Sequence, residues 1–173
     1  MLNTAVKAAR RAGSVILRSI DHIDQLTIES KGKNDFVSDV DKKAEDEILK
    51  ILLTAYPDHS VMAEENGSID GNEYQWIIDP LDGTTNYLYG YPVFSVSIAL
   101  AFKNELLHAV IYDPLRDELF TASKGSGAML NNRRLRTTPR KGIEGALLGT
   151  GFPFKDQRHL TVYLETFKAL FPD

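Results

Sequence analysis

The chain has 173 residues, 43% of them hydrophobic and 25% charged, a formal net charge of −4 and no cysteine. That length suits one domain with a real core, and the composition is that of a globular rather than a disordered chain. The charge speaks against direct nucleic-acid binding and the missing thiols exclude disulfides and thiolate zinc; no apolar run has membrane-spanning length or makes the core of a secretory signal, so the cytoplasm is the expected compartment.

A helix is predicted first. Leu2, Val6, Ala9, Ile16 and Ile20 recur at helical spacing with Lys7, Arg10, Arg11 and Arg18 between them, and the stop falls near Ile20 or Asp21. Gln25-Leu26-Thr27-Ile28 is more β-like, and Lys31-Gly32-Lys33-Asn34-Asp35 reads as a polar turn. Ser38 announces a second helix, with Asp41 three residues on, close to a capping box in which Asp replaces Glu. Ala44, Ile48, Ile51, Leu52 and Ala55 supply its apolar face, and Tyr56-Pro57-Asp58 ends it.

Strands dominate the middle of the chain. His59 to Ala63 runs out into the acidic turn Glu64-Glu65-Asn66-Gly67, and a polar loop spans Ser68 to Glu73. Trp76-Ile77-Ile78 reads as the end of a buried strand that Asp79 then leaves, because Pro80 biases Asp79 toward an extended backbone. Asp79 and Asp82 are thereby set on a rigid, non-helical bend with the Leu81 carbonyl free between them. Gly83-Thr84-Thr85 then opens a helix, where unpaired amides and the helix dipole attract phosphate. The plain alternative is a turn followed by a capped helix, since Asp-Pro and Asp-Gly are ordinary turn dipeptides. Tyr112-Asp113-Pro114-Leu115-Arg116-Asp117 is such a turn, with Arg116 where the second carboxylate stands in the first copy.

Val93 to Phe102 alternates large and small residues, which predicts a strand covered on both faces, the small-residue face by a closely packed helix. Leu106 to Tyr112 suits a central strand, and Glu118 to Ala122 another. Lys124-Gly125-Ser126-Gly127 is not a phosphate loop, because Ala128 to Asn132 after it has the pattern of a strand and turn rather than a helix. Arg133, Arg134, Arg136, Arg140 and Lys141 read as a solvated loop, Leu147 to Gly151 as a strand end, and His159 to Leu170 as a helix with an apolar stripe. Together these predict an α+β fold: a layered α-β sandwich with a largely antiparallel sheet flanked by helices.

Glu64, like Asp79, follows a strand, so neighbouring strands can deliver both to one sheet end; a solvated turn residue is its plain reading, as a helix cap is Asp41's. If Glu64, Asp79 and Asp82 meet, repulsion decides the chemistry: two carboxylates about 5 Å apart repel by roughly 3 kcal/mol at an effective dielectric near 20. Such a group binds protons or hard cations such as Mg²⁺. The histidines show no ligand spacing, and His108 reads as a satisfied sheet residue. A carboxylate-pair glycosidase leaves Gly83-Thr84-Thr85 unexplained.

Asp79-Pro80-Leu81-Asp82-Gly83-Thr84-Thr85-Asn86, preceded by Trp76-Ile77-Ile78 and Glu64-Glu65, resembles the first signature of the inositol monophosphatase family. Asn34 to Asp41, Tyr112-Asp113-Pro114, Phe120-Thr121-Ala122, Gly125-Ser126-Gly127-Ala128 and Thr150 to Phe154 resemble its bacterial inositol-1-monophosphatase branch, so the resemblance covers nearly the whole chain. It implies a sugar-phosphatase-like fold and Mg²⁺-dependent, lithium-sensitive hydrolysis of inositol monophosphates. Glu64, Asp79 and the Leu81 carbonyl would hold one Mg²⁺, and Asp79 and Asp82 would contribute to a second. Thr84, backed by Asp41, would direct the attacking water with Glu64 as the third catalytic group. Gly83, Thr84 and Thr85, with Glu64, Leu81 and Asp82, would meet the substrate.

The resemblance also implies a homodimer. Its alternatives are a related sugar- or nucleotide-phosphate phosphatase, or a non-catalytic protein partner in bacterial transcription complexes. The family's second signature, Trp-Asp-x-Ala-Ala-Gly, is absent before Asp173, and its Asp completes the second metal site. Residues 1–173 are therefore expected to be the N-terminal, metal- and phosphate-binding part of such a domain, truncated at the C-terminus and with a weakened second site. A smaller departure is Ala63, where the family often has Gly.

Overall fold

The computed structural model describes residues 1–25, 28–32, 35–153 and 157–170. Helix α1 (Leu2–Ser19) and a 3₁₀ turn lead to a hairpin of β1 (Ile28–Gly32) and β2 (Asp35–Ser38), and then to α2 (Asp39–Ala55). After it come β3 (His59–Ala63), β4 (Gly67–Ile69), β5 (Asn72–Asp82), the short α3 (Thr84–Leu88), β6 (Ser95–Phe102), β7 (Glu105–Asp113), β8 (Glu118–Ser123), β9 (Gly127–Leu130), β10 (Arg133–Arg134) and α4 (Leu160–Ala169). The strands from β3 onward form one sheet of order β10-β9-β8-β7-β6-β5-β3-β4. Every pairing in it is antiparallel except β3 with β5. The fold is α+β, as the strand-rich centre with helices outside it predicts.

α1 and α2 lie together on one face of the sheet, over Trp76, Ile78, Val96, Ile98, Leu100 and Val110, all of them buried. On α1 the predicted stripe captures Ala9 and Ile16, but the helix equally buries Ala5, Ala8, Ala12 and Gly13, which hydrophobic periodicity underweights. A Cβ added at Gly13 would stand 2.6 Å from Tyr112 Cε1 and 3.1 Å from Pro114 Cβ. The Tyr112 ring cannot readily swing aside: its hydroxyl donates to Asp117 Oδ1 at 2.9 Å, and the Arg10 guanidinium lies over it. Helix propensity favours Ala over Gly by about 1 kcal/mol, whereas overpacking a core costs about 1–3 kcal/mol. Gly13→Ala is therefore expected to destabilise the fold by up to about 2 kcal/mol, read as a lower urea midpoint at unchanged slope.

Several expectations change. The small-residue face of β6 is not closed by a helix among the described residues; α1 and α2 take the large-residue face, and Ser95, Ser97 and Ala99 remain half-buried. β7 is central in the sheet but covered on one side only by the described residues, with Ile111 45% exposed. The polar loop after Gly67 contains β4, which pairs back on β3. Residues 147–151 form no strand; Leu147 is fully exposed, and no described strand runs alongside to supply the ladder bonds a strand needs. α4 forms where its stripe predicts it, yet buries none of its residues. Lys103 and Asn104, both at positive φ, make the two-residue β6–β7 turn. Leu26, Thr27, Lys33, Asn34 and Phe154, named in the sequence patterns, lie outside the described residues.

Candidate functional site

The parallel pairing of β3 with β5 builds the site. Its register sets Ala63 opposite Ile78, so Glu64, just past the end of β3, and Asp79, still within β5, stand side by side at the same end of the sheet. The Glu64 amide donates to the Ile78 carbonyl at 3.2 Å, which fixes the main chain at that point.

The bend differs from its sequence reading. β5 does not end at Ile78 but runs through Asp82, with an irregularity: Asp79 pairs Ser97 and Asp82 pairs Ser95. Three steps on β5 thus oppose two on β6, the count of a β-bulge. Pro80 sits inside it, where no ladder bond needs its missing N–H. In a regular strand residues three apart face opposite sides; the extra residue lets Asp79 and Asp82 act on one region. It also leaves Pro80 and Leu81 buried in succession, against the strand's alternation. Asp79 Oδ1 accepts from the Leu81 amide at 3.2 Å, tightening the turn.

Asp79 is the group under stress. Burial, then the Glu64 charge and a hydrogen bond shared with Glu64, then the Asp82 charge, push its carboxyl up to about 7, against the pull of the Leu81 amide. The proton kept toward neutrality is that of Asp79, which faces the Glu64 carboxyl, and Asp82 adds repulsion. Among the described residues no three acidic or histidine side chains close into a ready-made metal cage. Mutual repulsion accounts for that: like charges without a counter-ion pair through a proton or stay apart. The donor set, two carboxylates and a peptide carbonyl with a third carboxylate nearby, fits a hard cation, and a carboxyl poised near neutrality gives up its proton readily when one arrives.

The second half of the site hangs on the start of α2. Ser38 caps that helix and Asp41 completes the predicted box: Asp41 Oδ2 accepts from Ser38 N at 2.9 Å and from Ser38 Oγ at 2.6 Å. Oδ1 accepts from Thr84 Oγ1 at 2.9 Å. Asp41 is buried, 1% exposed, so its rotamer is fixed from both sides. Thr84 Oγ1 also stands 3.0 Å from the Leu81 carbonyl oxygen. A hydroxyl has one proton, and a carboxylate outcompetes an amide carbonyl for it. The Leu81 carbonyl therefore keeps acceptor capacity for another partner.

Gly83, at φ +94, is required twice over: few side chains adopt that conformation, and a Cβ there would meet the Val93 carbonyl oxygen at 3.0 Å. Thr84 to Leu88 follow as one helical turn, closed by Asn86 Nδ2 donating to the Val93 carbonyl at 2.8 Å. Asp82, Gly83 and Asn86 line a cleft of about 290 Å³ together with Ser95, Asp113 and Glu118. A larger groove, about 590 Å³, runs between the outer faces of α1 and α2, where the Arg11–Glu47 ion pair already satisfies the charge; it is remote from this chemistry.

The second Asp-Pro segment is the plain turn its Arg predicts. Asp113 Oδ1 accepts from the Leu115 and Arg116 amides, and Arg116 Nη1 binds Oδ2 at 2.6 Å. His108 is likewise satisfied, with Nδ1 2.8 Å from Ser123 Oγ.

One acidic residue escapes the sequence reading. Glu45 is completely buried on α2, and its Oε2 and Oε1 accept from the amides of Glu65 and Asn66 at 2.9 and 2.7 Å. The available signal is its spacing: Asp41, Glu45 and Ile48 follow one another at i+4 and i+3 on one helix face, so a charge there is buried.

A family model for the inositol monophosphatase family matches residues 1–171. The chain belongs to that family. It is 52% identical over 176 residues to a protein of Pseudomonas aeruginosa named Nus factor SuhB, an alignment covering 98% of this chain and 65% of that one. It superposes on the crystal structure of extragenic suppressor protein SuhB from Bartonella henselae with a TM-score of 0.93 at 40% identity, over 97% of this chain and 65% of the other. For the inositol monophosphatase of Anabaena the TM-score is 0.68 at 38% identity, over 80% of this chain and 50% of the other. The chain thus spans about two thirds, 65%, of the length of the curated relatives it matches. No helix among the described residues is long and apolar enough to cross a membrane.

Proposed function

We propose that this inositol monophosphatase family member is the metal- and phosphate-binding part of a Mg²⁺-dependent phosphomonoesterase that hydrolyses inositol monophosphates. The observation that carries the reading is the delivery of Glu64 beside Asp79 by parallel strands, next to a Thr84 hydroxyl locked onto Asp41. Glu64, Asp79 and the Leu81 carbonyl would hold one Mg²⁺, and Asp79 and Asp82 would contribute to a second. When bound, Mg²⁺ acidifies water and stabilises charge on phosphoryl and leaving-group oxygens. Thr84 Oγ1 donates to Asp41, so its lone pairs are left to accept from the attacking water and aim it in line with the ester bond. The amides of Gly83, Thr84 and Thr85, with the Thr85 hydroxyl, would hold the phosphate oxygens at the mouth of the cleft.

The test is phosphate release from inositol 1-phosphate with and without Mg²⁺, for this chain and for a version extended at its C-terminus to the length of its relatives. Asp82 is exposed, so Asp82→Asn leaves the fold intact; it is expected to lower turnover in the extended version by about 10²–10³, the scale of losing one charge-stabilising group. Full activity in that variant removes Asp82 from the site. Phosphate release from other sugar or nucleotide phosphates in preference would reassign the substrate while keeping the chemistry.

The relatives named Nus factor SuhB favour a second reading, in which the same scaffold serves as a protein partner in a transcription complex. That reading predicts turnover from neither length and partner capture that ignores Asp82→Asn. A homodimer is part of the proposal and is checked by sedimentation.

A further inference from the structure

We propose that Glu45 is a positioning residue for the cation site, fixing the turn that carries Glu64; the role rests on the proposal that Glu64 and Asp79 hold Mg²⁺. Glu64 opens the β3–β4 turn and is itself exposed, so nothing in the packing of its own side chain sets its direction. Its main chain is held instead. The Glu64 amide is tied to Ile78 at the end of β5, and the next two amides, of Glu65 and Asn66, are both taken by the Glu45 carboxyl at 2.9 and 2.7 Å. Three consecutive amides are thus anchored, one to the strand that bears Asp79 and two to α2.

Burying a carboxyl group is costly unless its oxygens are hydrogen-bonded. Both Glu45 oxygens accept from this turn, so the burial is matched to that contact. Asp41 lies one helical turn before Glu45 and reaches Thr84. One face of α2 therefore grips both flanks of the site, Thr84 through Asp41 and the Glu64 turn through Glu45. The distance between those two flanks is set by a helix rather than by loops. Cation affinity depends on such a fixed separation, because Glu64 and Asp79 repel each other and a slack turn lets them part.

Glu45→Gln keeps shape and volume but retains one acceptor oxygen, and its NH₂ group faces an amide donor. Mg²⁺ binding by calorimetry is expected to weaken about 10–100-fold, the usual effect of losing a group that orients a ligand. Gly13→Ala serves as the stability control, since its added Cβ meets Tyr112 and Pro114 rather than Glu45 or the turn that carries Glu64; its Mg²⁺ affinity is expected to stay within about two-fold of wild type. In parallel, amide exchange at Glu65 and Asn66, followed by NMR, is expected to accelerate in Glu45→Gln and not in Gly13→Ala. Affinity in Glu45→Gln equal to wild type, or an equal loss in both variants, overturns the positioning role while leaving the cation site standing. Wild-type protein that binds no Mg²⁺ overturns the reading of the site, and the role of Glu45 with it.

Discussion

Replacing Asp79 by Asn is expected to make the cation-free protein more stable above pH 7 while abolishing Mg²⁺ binding and turnover. The sign follows from the carboxyl's displacement, from 3.8 to about 7, caused first by burial and then by Glu64 and Asp82. Between those values the native state binds a proton that the unfolded chain has lost, so stability falls as pH rises through the window, and the penalty is complete above about 7. A displacement of that size corresponds to at most about 4 kcal/mol. Asn carries no charge and removes the penalty. Its melting temperature should lack the fall between pH 4 and 8 that Asp79 imposes, leaving the rise expected of His59 and His108, whose burial holds them below the ordinary imidazole value. At pH 8 it should exceed that of wild type by several degrees, at about 2–4 °C per kcal/mol for a chain of this size. Mg²⁺ is expected to raise the wild-type melting temperature at pH 8 and to leave Asp79→Asn unmoved. Thermal melts at pH 4, 6 and 8 with and without Mg²⁺ check all three points. A wild-type stability that climbs through this pH window would sink the assignment of Asp79 as the strained group.

Such a gain from removing a functional residue identifies the kind of information the sequence holds openly. Ser38 and Asp41 are legible as a cap because the box is local: three residues decide it. Asp79, Asp82 and Gly83 are legible as chemistry, because carboxylates beside a Gly-Thr-Thr turn have few other uses together. Their geometry is not. Whether β5 stops at Ile78 or bulges onward depends on its register against Ser95 and Ser97 of β6, some fifteen residues away, and that pairing leaves no local trace in Pro80 or Leu81. The same holds for Glu45, whose partners belong to the β3–β4 turn. Alanine and glycine on α1 are underread for a different reason: their contribution is closeness of approach, as between Gly13 and Tyr112, and not apolar area. Residues 147–151 and α4 fail oppositely, with apolar patterns that suit a covered element and no cover among the described residues.

Asp41→Asn is expected to cost the fold little and turnover much, and the reason lies in where one proton goes. Asn keeps the volume of Asp but has a single acceptor oxygen. Two donors, the Ser38 amide and hydroxyl, converge on Oδ2, against one, Thr84 Oγ1, on Oδ1. The Asn oxygen therefore turns to Ser38, which preserves the helix cap and limits the stability loss to about 1–2 kcal/mol. Its NH₂ group then faces Thr84 and donates to it. Thr84 must send its own proton elsewhere, and the Leu81 carbonyl oxygen at 3.0 Å is the acceptor in place. One substitution thus fills a Thr84 lone pair meant for water and caps the carbonyl meant for a cation. Turnover in the extended protein is expected to fall by about 10²–10⁴, the scale of losing a positioned proton acceptor, with weaker Mg²⁺ binding alongside. Thr84→Ser, which keeps the hydroxyl, should retain most activity, whereas Thr84→Val should lose as much as Asp41→Asn. Because Thr84→Val leaves the Leu81 carbonyl uncapped, its Mg²⁺ affinity should stay near wild type, separating the two effects. Wild-type turnover in Asp41→Asn would show that the Asp41–Thr84 hydrogen bond serves only to hold α2 against the bend.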